Sequence, residues 1–372
     1  MRRCLVHIGM PRTGSTSLQT VLTHLRPELV RHGVLYPEIK PRSVTWDDPN
    51  HQAFGETLDG RRPARERAEC LESLARTLAG TQADTVILSY EDFAQQQRRF
   101  GVPEQLRAIL SRHGFAMEVA VVVKAPSEHL NSLYSHRAQM IRELRPFRAF
   151  ARQSWRSARF DYRALVEPWI AAADGRIRAL PLRDRRAAGS LVERFVAATD
   201  LTGRIGHLIG ADERDRVENR SPGPLAVEAS RRLRRLGVHR QAQVHPRQIG
   251  RFIDGEAWVR GWDATPFRGD DPAVLARIDA HFGPANDRFA RWVWGAPWAS
   301  VVRDADPRPP NELAGRPLTP ETEAQVACLV DRTLAHHDFR IPLHWWSRLR
   351  DAAEAGTVRA APLVGYRGWR VT

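Results

Sequence analysis

The chain has 372 residues, 42% apolar and 27% charged, with a formal net charge of +14. That balance supplies a sizeable core and excludes a wholly disordered chain. Three cysteines set far apart (Cys4, Cys70, Cys328), with no Cys-x-x-Cys pair, indicate neither a disulfide framework nor a zinc site and are expected to be buried apolar thiols. No window approaches the roughly 18 uninterrupted apolar residues of a membrane span. Met1-Arg2-Arg3 leads into a short apolar segment without a signal-peptide pattern, so a cytoplasmic location is expected. Only two of the 57 basic residues are lysines, Lys40 and Lys124. The arginines are scattered and accompany no DNA-reading or RNA-reading motif, so the charge implies attraction of anions generally rather than sequence-specific nucleic-acid binding.

Residues 4–9, Cys-Leu-Val-His-Ile-Gly, are mostly apolar and predict a short buried strand, closed by the loop Met10–Gly14. Leu18, Val21, Leu22 and Leu25 then follow helical spacing. Val34-Leu35-Tyr36 predicts a second short strand, 38–60 a loop, 64–79 a helix and 85–90 a buried strand ending at Glu91-Asp92. A helix is expected at 103–113. The run Val119-Ala120-Val121-Val122-Val123 marks a strand over 118–123. Pro126 opens a helix reaching about Glu143, and 177–182 is a further strand. Apolar strands separated by helices imply an α/β fold, a P-loop-like parallel sheet flanked by helices, with ligands beyond the carboxyl ends of the strands. The rest is read as mostly helical, with helices near 189–199, 223–236, 272–283 and 285–294. A proline-rich linker follows over 304–317, then a helix from Thr319-Pro320-Glu321 with Val326, Leu329 and Val330 on its apolar face. The expected division is a domain over 1–300 and a helical appendage over 301–372.

Between the first strand and helix lies Gly9-Met10-Pro11-Arg12-Thr13-Gly14-Ser15-Thr16-Ser17. Glycines let a backbone wrap an anion, the first helical amides point into the turn, Arg12 adds charge, and the hydroxyls add donors. The spacing is that of a Walker A loop, but Ser15 stands where an ATPase has lysine, which argues against ATP-and-Mg²⁺ chemistry.

At these residues, from His7 to Gln19, the chain resembles the sulfotransferase family, whose bacterial members carry similar strings in the loop that binds a 5′-phosphosulfate. The resemblance implies sulfuryl transfer from 3′-phosphoadenosine 5′-phosphosulfate (PAPS) to a hydroxyl, leaving 3′,5′-ADP, without a metal. Arg12 takes the place of the family's lysine, keeping the charge on a bulkier fork. A second family motif, a strand-end cation and a serine eight residues later that hold the 3′-phosphate, is matched by Lys124 and Ser132 around Pro126. There the lysine replaces the family's arginine. The implied cofactor-binding set is Pro11, Arg12, Thr13, Gly14, Ser15, Thr16, Ser17, Lys124 and Ser132. The likeness extends over about residues 1–295, with weaker echoes at Leu180–Phe195, Asn219-Arg220-Ser221 and Phe282–Trp292.

Transfer to a hydroxyl also needs a base. Glu91 closes the third strand in a Ser-x-Glu string similar to that of the family, and His51 lies in a loop that the family places near the acceptor. Both stand as catalytic candidates beside Arg12. His7 is expected to pack within its strand. The adjacent His336 and His337 do not share a helix face and are not expected to hold a metal. Eight of eleven tryptophans fall from Trp258 onward; they suit packing of the helical half, and Trp345-Trp346 suit stacking on sugar rings. The acceptor implied by the family is a carbohydrate or glycoconjugate hydroxyl. The alternatives are a P-loop kinase and a non-catalytic nucleotide-binding or polyanion-binding module.

Overall fold

The computed structural model describes residues 2–94, 100–154, 157–214, 221–241, 244–269, 272–304 and 309–339. Asn219, Arg220, Pro307, Trp345 and Trp346 lie outside them. In chain order the main elements are β1 (Arg3–His7), α1 (Ser15–His24), α2 (Arg26–Arg31), β2 (Val34–Leu35), α3 (Gln52–Leu58), α4 (Ala64–Gly80), β3 (Thr85–Ser89), α5 (Val102–Arg112), β4 (Ala116–Val123) and α6 (Pro126–Gln139). There follow α7 (Phe147–Ser154), α8 (Tyr162–Ala172), β5 (Ile177–Pro181), α9 (Leu191–Ala198), α10 (Pro224–Arg235), α11 (Pro246–Val259), α12 (Pro272–Trp294) and α13 (Pro320–His336).

The fold is α/β as expected: five parallel strands in the order β2-β3-β1-β4-β5, flanked by helices, with a largely helical C-terminal part. The continuous apolar runs reflect burial on both faces. Leu5, Ile87, Ala120 and Val122 face one core with Leu18, Val21 and Leu22 of α1 and Val192, Phe195 and Val196 of α9. The alternating neighbours Cys4, Val6, Val86, Leu88, Val119, Val121 and Val123 face the other, with Leu74 and Leu78 of α4, Leu106 and Leu110 of α5 and Trp169 of α8. A one-residue slip of any strand would exchange these sets, so packing fixes the register.

Contacts divide the chain into two compact units, Met1–His129, Ser157–Asn219 and Arg277–Asp306 in the first, and Leu130–Arg156, Arg220–Ala276 and Pro307–Thr372 in the second. The sheet belongs to the first. The second is helical, with a core of Leu225, Leu233, Ile249, Ile253, Val326, Leu329 and Leu334. Thr319 caps α13, its side chain accepting from the Thr322 amide at 3.1 Å. Val326, Leu329 and Val330 are buried as their spacing predicts.

Several local expectations are corrected. The segment 38–60 contains α3, which buries Ala53, Phe54 and Leu58. Its Gly55 hides the helical signal, yet an added Cβ there would stand 2.1 Å from the Tyr90 ring, so glycine is what lets the two pack. The helix opened by Pro126 stops at Gln139, and Ile141 turns the chain away at φ 52°. No break occurs at Gly283-Pro284; α12 is continuous there with Phe282 and Phe289 buried on either side of the proline. Packing of the two rings offsets the lost backbone bond. Helices α7, α8 and α11 have no counterpart in the sequence reading. Cys4 and Cys70 are buried, but Cys328 is partly exposed.

Candidate active site

The three central strands are β3, β1 and β4, in register His7 with Ser89 and with Ala120. Their carboxyl ends therefore lie side by side, and each carries one candidate: Glu91, the Gly9–Gly14 loop, and Lys124. The loop continues the β1 pairing. Met10 N donates to Val122 O at 2.9 Å and Val122 N to Gly9 O at 2.7 Å. Gly9 adopts φ 119°, and a Cβ there would lie 2.2 Å from the Glu91 carbonyl oxygen. Only glycine permits that approach of loop to β3 end.

Arg12 occupies the left-handed region at φ 67°, uncommon for a residue other than glycine and costing about 1 kcal/mol or more. Its carbonyl accepts from the Lys124 Nζ at 2.8 Å, which holds the turn. Lys124 is only 2% exposed. Burial pulls its ammonium down to about 7; Glu128 opposes the shift, and Arg12 and Arg183 add to it. Arg183, just past β5, lies 3.4 Å from Glu128. Arg12, Lys124 and Arg183 thus place their charges at the carboxyl edge of the sheet. The first turn of α1 contains no acidic residue, and Gly14 at its N-cap supplies no side-chain cap. First-turn amides have no partner within their own helix, so this end favours an anion.

The loop hydroxyls divide in role. The Thr13 hydroxyl donates to Met10 O at 2.6 Å and the Ser15 hydroxyl to the same oxygen at 3.3 Å. Both side chains are buried and brace the loop from inside. Pro11, Thr16 and Ser17 are partly exposed. Ser132 lies farther along α6, in the second unit; its carbonyl accepts from the Ser135 hydroxyl.

The two base candidates differ sharply. Glu91 is partly exposed, and its carboxylate accepts from the Gln19 amide at 3.0 Å and the Asn50 amide at 3.5 Å. Gln19 also donates to the Ser89 hydroxyl, which meets His7 Nδ1 at 2.7 Å, so a buried polar chain fixes the carboxylate. His51, expected on an open loop, is 1% exposed. Its Nδ1 accepts from Ser89 N at 3.0 Å and its Nε2 meets the Pro37 carbonyl at 2.9 Å. Burial and Arg26 pull it down to about 4. Both ring nitrogens are spent on backbone, and the side chain anchors the start of α3.

Gln19, Asn50, Arg183, His129 and Tyr162 complete the surroundings and were missed as candidates. Gln19 carried a signal, a polar residue on the apolar face of α1; the others are brought close only by tertiary packing. A groove of about 500 Å³ at the start of α9 includes no residue of the loop, and its charged side chains Glu193 and Arg194 are engaged with Ser190 and with the Pro181 and Leu182 carbonyls. Among the described residues no group of three or more potential ligands could hold a metal. His336 stacks on Phe252 at 4.1 Å. No helix among them is long and apolar enough to cross a membrane.

No family model matches the chain, and no curated protein matches it. Among solved structures, a sulfotransferase from Alicyclobacillus acidocaldarius aligns with a TM-score of 0.33 and 15% identity, over 55% of this chain and 81% of that one. The likeness is distant.

Proposed function

We propose that the protein is a sulfotransferase that moves a sulfuryl group from PAPS to an acceptor hydroxyl, the acceptor being a carbohydrate or glycoconjugate. The observation that carries this reading is the Lys124 ammonium on the Arg12 carbonyl, which joins a strand-end cation to a glycine loop at the N-terminus of α1. The donor set fits a nucleotide bearing phosphate at both ends: amides and guanidinium at the loop, a second cation at the β4 end, and no acidic residue in the first helical turn. PAPS supplies the activated sulfuryl group. Arg12 and the α1 amides neutralise charge on the 5′ side, where it grows during transfer, so their effect is greater on turnover than on binding. Lys124 is assigned to the 3′-phosphate. Glu91, oriented by Gln19 and Asn50, takes the proton of the acceptor hydroxyl. A kinase reading is less favoured, because Ser15 replaces the triphosphate-binding lysine and its hydroxyl turns back onto Met10.

Thermal shift and isotopic transfer test this. 3′,5′-ADP should raise the melting temperature without metal while ATP with Mg²⁺ should not, and labelled sulfate should pass from PAPS to at least one member of a glycan panel. Lys124→Ala should weaken 3′,5′-ADP binding about 10- to 150-fold, the worth of a charge-assisted bond, and leave 5′-AMP nearly unchanged. Stabilisation by ATP with Mg²⁺ alone would overturn the assignment.

A further inference from the structure

Past β5 the chain continues beside the end of β4. Val123 pairs with Pro181, and Leu182 N donates to Val123 O at 2.6 Å, which sets Leu182 next to Lys124 and Arg183 one residue farther on. Neighbouring strands lie about 4.8 Å apart, so Lys124 and Arg183 project from adjacent chain ends. The backbone under Arg183 is fastened. The Arg194 guanidinium donates to the Pro181 carbonyl at 2.6 Å and to the Leu182 carbonyl at 2.7 Å, and Arg303 N donates to the Arg183 carbonyl at 2.9 Å. Three consecutive carbonyls are thus tied down, by α9 and by the chain that follows α12.

The Arg183 side chain is held far less firmly. It is 37% exposed, and its partner among the described residues is Glu128, in the first turn of α6, with Nε at 3.4 Å and Nη2 at 3.5 Å. A committed guanidinium–carboxylate bond is about 2.7–2.9 Å long, and ion pairs this open to solvent add little stability. The other carboxylate nearby, Asp184, is taken up by Arg186, accepting from its backbone amide at 2.8 Å and lying 3.5 Å from its Nε. Glu128 follows Lys124 by one helical turn, so the Arg183 fork reaches across from β5 to the Lys124 end of β4. A planar fork that spans the two oxygens of a carboxylate also spans two oxygens of a phosphate. A fixed backbone beneath a loosely engaged cation suits a binding residue, because little order has to be imposed when the ligand arrives.

We propose that Arg183 is a third cation of the anion site, which leaves Glu128 to close with Lys124 on the phosphate at the β4 end. The inference rests on the reading of these strand ends as a site for a nucleotide with phosphate at both ends. It adds the residue that separates such a nucleotide from one with a 5′-phosphate alone, and it is independent of sulfuryl transfer.

Glu128 left without Arg183 would itself repel a phosphate, so the comparison is made in Glu128→Gln protein, at pH 6, where Lys124 holds its proton. Calorimetry should show Glu128→Gln/Arg183→Gln binding 3′,5′-ADP about tenfold or more weakly than Glu128→Gln, with the affinities for 5′-AMP within about twofold of each other. A loss of packing would weaken both nucleotides alike, so the ratio of the two affinities separates a phosphate contact from a structural role. Melting of the two proteins should coincide, because the bonds that fasten residues 181–183 do not use the Arg183 side chain. Equal affinities for 3′,5′-ADP, or an equal loss for both nucleotides, overturn the role of Arg183 and leave the nucleotide site standing. Absence of any 3′,5′-ADP binding in wild-type protein overturns both.

Discussion

Lys124 shows how one buried side chain sets the behaviour of a site. Its amine serves the loop carbonyl of Arg12, and desolvation brings it down to about 7. Only the protonated form attracts a phosphate, so raising the pH above 7 removes the charge from the free protein before ligand arrives. Affinity for 3′,5′-ADP should therefore fall between pH 7 and 9, by at most tenfold per pH unit, and Lys124→Arg should flatten the profile because a guanidinium does not deprotonate there. Calorimetry across that range checks this; a flat wild-type profile would show that the lysine charge does not meet the ligand.

The elements around the site hold the proposed base and the buried His51 in different ways. Glu91 is carried past the end of β3 and held by side chains from α1 and the segment before α3. His51 ties the start of α3 to β3 and to Pro37. Glu91→Gln keeps the shape but removes the proposed base, so kcat should fall by about 10²-fold or more while 3′,5′-ADP affinity holds. His51→Ala leaves the Ser89 amide and the Pro37 carbonyl buried without partners, which predicts a loss of about 2–4 kcal/mol of stability. Steady-state kinetics and denaturant melts of the two variants distinguish the roles. A large kcat loss with intact stability in His51→Ala would reverse them. The sequence sets Glu91 at the end of a strand and His51 in a loop, and leaves both as candidates. What the sequence does not show is that His51 is buried, because the hydrogen bonds that occupy it come from residues 14 and 38 positions away.

Across the molecule, the buried histidines of the first unit make its stability pH-dependent. Burial pulls His7 and His51 down to about 4, and His129 well below its ordinary value of 6.5. Below pH 6.5 the unfolded chain binds these protons and the folded one does not, so stability should fall as the pH drops from 6.5 to about 4. His7 and His51 each account for up to about 3 kcal/mol, and His129 acts in the same direction. Asp48, pushed up to about 6 by burial, acts with the opposite sign and a smaller span. Denaturant midpoints followed by circular dichroism should fall steeply from pH 7 to pH 5, and an unchanged midpoint would contradict the burial of the three neutral rings.

Local chemistry made the parallel sheet, the glycine loop and the α13 cap legible without coordinates. Continuous valine and leucine runs suit strands buried on both faces, Gly9 and Gly14 mark positive φ, and Thr319-Pro320 starts a helix whichever neighbours it meets. These signals act within a few residues. The meeting of Lys124 with Arg12, the burial of His129 and the helix at Gln52–Leu58 depend on groups up to 112 positions apart and on which faces the core covers. Such contacts leave no periodic trace in the chain, because desolvation and unpaired donors exist only once the sheet and helices have closed over them.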